Sequence, residues 1–229
     1  MNHLQQLILH EPNLKQKRIL DIGAGKGGFM IQALDEGIEI FGLEKNEQNI
    51  KIAKQKMAEK NYDQNRIIQG LVETLPWKDN SFDFVNASEV LEHVENPDKM
   101  LTEMQRVLKT DGQAYLSIPN RYGLYDPHFH LYFINWMPRS WSKRVLTLLK
   151  KHKDYNEDSG YQSLEQMHYL TYKQCFQLLK KYGFMVQDSR RKKIESISNN
   201  RIISKLLFIA YDLGAPWTLS TFHFWIKKS

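Results

Sequence analysis

The chain has 229 residues, 41% hydrophobic and 25% charged, which is enough for one large domain and too short for two full ones. A formal charge of +6 and a sequence pI near 9.2 suit an anionic partner without selecting one. A single cysteine, Cys175, excludes an intrachain disulfide and any zinc site of several thiolates. With no secretory leader or bilayer-length apolar run to be read, a cytoplasmic protein is expected.

Residues 1–17 read as a polar, helical lead-in broken by Pro12. Residues 18–22 form an apolar run expected to be a buried parallel strand. The following Asp21-Ile-Gly-Ala-Gly-Lys-Gly27 turns that strand into a helix ending near Gly37. Glycine at 23, 25 and 27 allows a sharp bend and close approach of backbone to a ligand, toward which the helix would direct N–H groups. Such a turn also arises for steric reasons alone. Asp21 narrows the choice, because a phosphate beside this carboxylate would be repelled. The ligand should instead bring a cation or donors, as S-adenosylmethionine does with its amino group.

Residues 38–44 read as a second strand ending in Glu44, roughly 20 residues past Gly25, the spacing that sets a carboxylate beside ribose hydroxyls in nucleotide folds. From Asn46 a helix is expected to about residue 60, with Ile50, Ala53 and Met57 inward and lysines outward. Strands follow at 66–69, 82–87 and 112–118, with helical material at 90–94 and 98–109. This alternation predicts a parallel sheet with helices on both faces and a ligand beyond the carboxyl ends of the strands, where Asp21, Glu44, Glu73 and Ser88 fall.

Taken in order, Ile-Leu-Asp21-Ile-Gly-Ala-Gly-Lys-Gly, Gly-Leu-Glu44, Glu73-Thr-Leu-Pro-Trp-Lys-Asp-Asn-Ser-Phe-Asp-Phe-Val, Val90-Leu-Glu-His-Val and Leu108-Lys-Thr-Asp-Gly-Gln-Ala-Tyr-Leu-Ser-Ile-Pro-Asn resemble the class I S-adenosylmethionine-dependent methyltransferases. The match is to their small-molecule, type 11-like branch. It covers roughly residues 18–120, with His168-Tyr-Leu-Thr and Tyr182-Gly-Phe beyond. The resemblance implies an α/β, Rossmann-like, doubly wound and mostly parallel sheet. In that single domain, core residues 18–120 and 167–229 carry an inserted helical substrate lobe at about 121–166. It further implies that Asp21, Ile22, Gly23, Ala24, Gly25 and Gly27 hold the methionine end of S-adenosyl-L-methionine and Glu44 its ribose. Val72 and Glu73 would border the adenine, and Ser88 and His93 the floor near the transferable methyl. Two departures stand out: Leu71 replaces a frequent aspartate, leaving Glu73 as a stand-in, and Lys45 replaces an apolar residue.

The stretch Tyr125-Asp-Pro-His-Phe-His-Leu-Tyr-Phe-Ile-Asn-Trp-Met-Pro138 suits a sugar, a conjugated ring or a small hydrophobic lid. Its Pro-Asn-Arg, Pro-His and Trp-x-Pro pattern resembles methyltransferases of bacterial glycan assembly, which implies O-methylation of a sugar or of a glycan- or lipid-linked acceptor. The alternatives are a quinone-type or other aromatic acceptor, or a noncatalytic cofactor-binding partner protein, against which the intact glycine loop argues. A nicotinamide oxidoreductase would place Gly-x-Gly-x-x-Gly at a pyrophosphate, which Asp21 opposes. Nucleic-acid methylation would prefer a denser basic face with stacking aromatics and is the less expected reading, which the basic clusters at 143–153 and 190–193 keep open.

Methyl transfer to a hydroxyl needs proximity, a dry pocket and a base. His128, His130 and His168 are the candidate bases, each equally able to serve structure. Glu89, Glu92 and His93 are candidate metal ligands by resemblance to methyltransferases that bind magnesium through Glu-x-x-Glu-His, although Leu-Glu-His-Val also occurs in relatives without metal. Cys175 shares a helical face with Leu178, Leu179 and Tyr182, which marks it as buried. Residues 121–166 and 194–217 hold basic, one-sided apolar helices suited to an anionic bilayer, so peripheral contact with the inner face of a membrane joins the expected partners. The same stretches could pack on the sheet or pair two subunits. Oligomeric state has no readable signal.

Overall fold

In the computed structural model, which describes residues 2–151, 164, 166–195 and 201–229, the apolar runs of the first half become five parallel strands. They are β1 (Ile19–Ile22), β2 (Ile40–Glu44), β3 (Ile67–Gln69), β4 (Phe82–Ser88) and β5 (Leu108–Pro119). The later β8 (Phe184–Asp188) and β9 (Thr221–Lys228) complete a sheet of order β3-β2-β1-β4-β5-β9-β8, with β9 antiparallel to both neighbours. The strand order reverses between β1 and β4. Chain leaving these two strands therefore diverges and opens a crevice at their carboxyl ends.

The alternation along β1 sends Ile19 to one face and Leu20 to the other. On the Ile19 side, α1 (His3–His10), α2 (Gly28–Asp35) and α3 (Glu47–Glu59) bury Leu4, Leu7, Met30, Ala33, Ala53 and Met57. On the Leu20 side, α4 (Pro97–Val107) and α6 (Tyr172–Lys181) bury Met100, Leu101, Met104, Cys175 and Leu179. Each large apolar side chain so buried contributes about 1.5–3 kcal/mol. The architecture is the expected doubly wound, mostly parallel one. Cys175 is fully buried, and burial pushes its thiol pKa up, as its place on an apolar helix face anticipates.

Three local expectations change. β5 begins at Leu108, because Leu108 pairs with Phe82 before the register jumps to Phe84 opposite Gln113. The residues between form an irregularity in which Lys109 reaches Asp83 at 2.9 Å and Asp111 adopts φ +63°. Residues 90–94 supply only one 3₁₀ turn, Leu91–His93, before Asn96 caps α4 and Pro97 opens it. The lobe is only partly helical. It begins as a hairpin of β6 (Tyr125–Asp126) and β7 (Leu131–Tyr132), then a 3₁₀ turn and α5 (Arg139–Leu148). Asp126, fully buried, accepts from the N–H groups of His128 (2.9 Å) and Phe129 (2.8 Å) and from the Asn135 amide (2.9 Å). Phe129, Ile134, Leu146, Leu164, Met167 and Tyr169 form a small core of the lobe's own.

The chain continues through α7 (Ser189–Glu195) and α8 (Arg201–Thr218). Residues 152–163 and 165 of the expected lobe, and 196–200 of the later apolar segment, lie outside the described residues. No helix of the described residues is long and apolar enough to cross a membrane.

Gly27 sets how closely α2 approaches α3. Its φ is +74°, and a Cβ there would lie 2.9 Å from the Ala53 Cβ. Gly27→Ala combines a left-handed alanine with overpacking, and is expected to lower unfolding free energy by roughly 2–4 kcal/mol in urea titration.

Candidate functional site

The glycine loop is held by its own hydrogen bonds. Leu43 O accepts from the N–H groups of Gly23 (2.8 Å) and Ala24 (3.0 Å), and Ala24 O from that of Gly27 (3.0 Å). The Gly25 N–H donates to Glu44 Oε2 at 2.8 Å, while Glu44 Oε1 accepts from Asn46 N at 2.8 Å. Four loop donors are thus engaged within the protein, where the sequence reading expected free N–H groups facing a ligand. A pyrophosphate would need those donors. A ligand bringing its own donors or a cation would not. Glu44 keeps part of its acceptor capacity, since a carboxylate offers about four lone-pair positions and two are used here. At Gly23 a Cβ would lie 2.6 Å from Val90 Cγ2, so only glycine fits with φ +70° at this crossing.

A cavity of about 190 Å³ opens where β1 and β4 diverge. Gly23, Glu44 and Glu89 line it with Leu43, Lys45, Leu71, Val72, Val90 and Val94, and Glu73 and His93 also reach it. Its walls are largely apolar, with the carboxylates of Glu44, Glu73, Glu89 and Glu95 among the lining, a combination suited to a nucleoside. Asp21, Ile22, Ala24, Gly25, Gly27 and Ser88 are not among its lining residues. Ser88 instead meets the Ser117 hydroxyl at 2.9 Å. Leu71 is 56% exposed and Lys45 lines the slot, so both departures from the family pattern fall on it. A larger open cleft of about 710 Å³ between α6, β8 and α7 contains none of the glycine loop and none of Glu44, Glu89, Glu92, His93 or His128.

The wall formed by residues 71–79 is fastened to α4. Glu73 Oε1 accepts from Glu95 N at 2.9 Å, and Leu75 N donates to Glu103 Oε2 at 2.7 Å. Arg106 donates to the carbonyls of Leu75 (2.9 Å) and Trp77 (2.7 Å) while pairing with Glu103 and Asp79.

Asp21 faces inward. It is 3% exposed and accepts from Asn86 Nδ2 at 2.7 Å, and Asn86 Oδ1 in turn lies 3.0 Å from His3 Nε2. Burial pushes the Asp21 carboxyl up to about 7, only partly countered by the Asn86 bond. The sequence reading missed Asn86 and His3. A buried asparagine within the apolar run Phe-Val-Asn-Ala was the available signal for the first, while nothing in the lead-in helix marked the second.

Glu92, fully buried, gathers two imidazoles. His128 Nε2 lies 3.3 Å and His93 Nε2 3.7 Å from Glu92 Oε1, and Glu92 Oε2 has no hydrogen-bond partner among the described residues. Burial raises the Glu92 pKa, with the His128 bond opposing it. Of the three expected bases, only His128 joins this cluster through its side chain. His130 is exposed and bonds to the Tyr125 hydroxyl at 2.7 Å; His168 donates its backbone N–H to Glu92 O at 3.0 Å. Of the expected metal ligands, Glu92 and His93 converge with His128, their ligand atoms all within 4.8 Å, and Glu89 is not in that group. Glu89 lines the slot with φ +55°, a strained conformation for a non-glycine residue.

A methyltransferase-domain family model matches residues 13–153, more than half of the sequence. The chain belongs to this methyltransferase family. It is 34% identical over 113 residues to the ubiquinone biosynthesis O-methyltransferase of Dechloromonas aromatica, covering 48% of this chain and 47% of that protein. To the demethylmenaquinone methyltransferase of Geobacillus kaustophilus it is 33% identical over 131 residues, 54% and 55% of the two chains. The chain thus spans about half the length of these curated relatives. Its fold is similar to the S-adenosylmethionine-dependent methyltransferase from Mesorhizobium loti, with a TM-score of 0.63 at 16% identity over 98% of this chain and 96% of the other. The methyltransferase fold expected from the motifs is therefore the one present.

In this methyltransferase fold the buried Asp21 has a measurable consequence. Its folded pKa exceeds the ordinary 3.8, so burying the charged form costs stability increasingly as pH rises from about 4 to about 7. Asp21→Asn removes that dependence. In ligand-free protein, the melting temperature of wild type should fall relative to Asp21→Asn across this window, with a constant difference above it, as read by calorimetry.

Proposed function

We propose that this chain transfers the methyl group of S-adenosylmethionine to a small, ring-bearing acceptor, on oxygen, at a site beside a membrane. The observation that carries the reading is the state of the glycine loop. Its N–H groups at 23, 24, 25 and 27 already have protein acceptors, while Glu44 retains acceptor capacity beside an apolar slot. That arrangement suits an uncharged ribose, a flat base and an ammonium group, and it does not suit a dinucleotide pyrophosphate. The cofactor, when bound, supplies an electrophilic methyl on a sulfonium that leaves as a neutral thioether.

The remaining requirements fall on this chain. Glu44 orients the ribose hydroxyls, and Val72 and Val94 enclose the base. His128 and His93, oriented by Glu92, are placed to take the proton of an acceptor hydroxyl as its oxygen gains the methyl, and their burial keeps water away. The quinone-biosynthesis names of the relatives support an aromatic, lipid-soluble acceptor. The expected sugar or glycan acceptor has no counterpart among them and is not part of this reading.

A second reading of the same cluster is favoured by the bare Glu92 Oε2: Glu92, His93 and His128 hold a divalent cation that orients the acceptor.

Glu44→Ala should weaken S-adenosylmethionine binding about tenfold to a hundredfold by calorimetry, since bonds to a charged acceptor contribute roughly 1.5–3 kcal/mol each. NAD should give no heat with either protein. Unchanged affinity in the variant would remove Glu44 from the ribose site.

His128→Asn should lower kcat by about 10²- to 10⁴-fold with cofactor affinity intact, whereas His130→Asn should behave as wild type. Full activity in excess chelator discards the cation reading; loss restored by magnesium or manganese would replace the base reading with it.

A further inference from the structure

We infer that one continuous exposed face, formed by α8 and the lobe, docks on an anionic lipid bilayer. This extends the reading that the chain works beside a membrane, and it is tested by vesicle binding without cofactor or acceptor, so it can fail separately from methyl transfer.

α8 turns one side to the protein and leaves an apolar side exposed. On its inner side Phe208 lies beneath Arg191, Tyr211 donates to Asp188 at 2.6 Å, and Ala215 is buried. On its outer side Leu206, Ile209, Leu213 and Trp217 are 62%, 48%, 71% and 52% exposed. Their spacing of three and four residues places them on a single stripe. The outer stripe is thus a contiguous apolar surface on a helix whose opposite side already has partners in the protein, the kind of surface that marks an interaction site. No described helix is long and apolar enough to cross a bilayer, so a helix of this kind would lie on its surface.

The stripe runs on into the lobe. Trp217 lies 5.3 Å from Tyr122 and 6.4 Å from Trp136 between ring centres, and Trp136 lies 5.3 Å from Phe133. All of these rings are more than a third exposed. Tryptophan and tyrosine, with apolar rings and polar tips, favour the interfacial layer of a bilayer.

An apolar face alone would also fit a second copy of the chain. Charge favours lipid. Residues 121–151 carry six arginines and lysines against one acid, Asp126, and that acid is buried. Of these, Lys143, Arg144, Lys150 and Lys151 are exposed along or just after α5, which follows the aromatic belt directly, while the next stretch, 152–165, carries four acids against one lysine. A like-charged second copy would be repelled there, whereas anionic headgroups would be attracted. α5 repeats the pattern, with exposed Trp141, Arg144 and Leu148 along one side.

The face is also anchored to the site end of the sheet. Asn120, at the carboxyl end of β5, donates through its amide to Leu219 O at 2.7 Å and through its backbone N–H to Ser220 O at 2.9 Å. The Trp217 end of the belt therefore sits beside the lobe that carries His128.

Flotation of the full chain with phosphatidylcholine vesicles, with and without phosphatidylglycerol, tests this. Wild type should float with the anionic vesicles at low salt and lose most of that binding at high salt. Leu206→Glu/Leu213→Glu should reduce partitioning at least tenfold. Lys150→Glu/Lys151→Glu should reduce it by about tenfold or more, since each basic side chain near an anionic surface contributes roughly fivefold. Circular dichroism checks that both fold, and if the α8 variant does not, the lysine variant decides alone. Wild type remaining with unbound protein, or a folded variant floating as wild type does, would overturn the inference. Lipid-free dimers split by Leu206→Glu/Leu213→Glu, without vesicle binding, would assign the face to a second copy instead.

Discussion

One buried carboxylate fixes both sides of the crevice. Glu44 ties Gly25, in the loop after β1, to Asn46, at the start of α3, each through a 2.8 Å bond to a different oxygen. The charge is tolerated at 8% exposure because it lies at a helix N-terminus and accepts two backbone N–H groups. Together with Leu43 O, which accepts from the Gly23 and Ala24 N–H groups, this clip holds the loop conformation that brings Gly23 against Val90 from the carboxyl end of β2. Binding geometry and fold are therefore the same constraint at this residue.

How much of this was legible depended on whether the signal was periodic or spatial. Residues 19–22, 40–44 and 82–88 announced themselves as strands because apolar runs between turns leave few other outcomes, and Glu44 followed from chain spacing alone. Leu108 misled because it fits the apolar face of the preceding helix, yet it pairs with Phe82 across the sheet. The cluster at Glu92 was half visible. His93 is adjacent in sequence, but His128 arrives from a different element, held by Asp126 in a hairpin whose two-residue strands carry almost no pattern. Asn86 and His3 join Asp21 only through the folded sheet, and no local spacing records that.

The lobe is more than a cover. Asp126 and the small core around Phe129 and Leu146 organise it from within, and Asn120 fastens its origin to the end of α8. The His128 imidazole beside Glu92 is thus carried on a unit with its own packing. The same unit leaves its aromatic side chains outside, so the residue that faces Glu92 and those that face the surroundings share one short stretch of chain.

Arg106 has an effect beyond the ion pairs it makes. By holding the carbonyls of Leu75 and Trp77 while sharing Glu103 with Leu75 N, it gives the wall of the slot its final shape when the chain folds. A ligand entering such a slot does not have to immobilise that segment, so less of its interaction energy is lost to ordering. In the proposed site the cofactor and its demethylated product would meet the same preformed wall, which would contribute little to distinguishing them. Discrimination between the two is left to the end of the site where the sulfur lies.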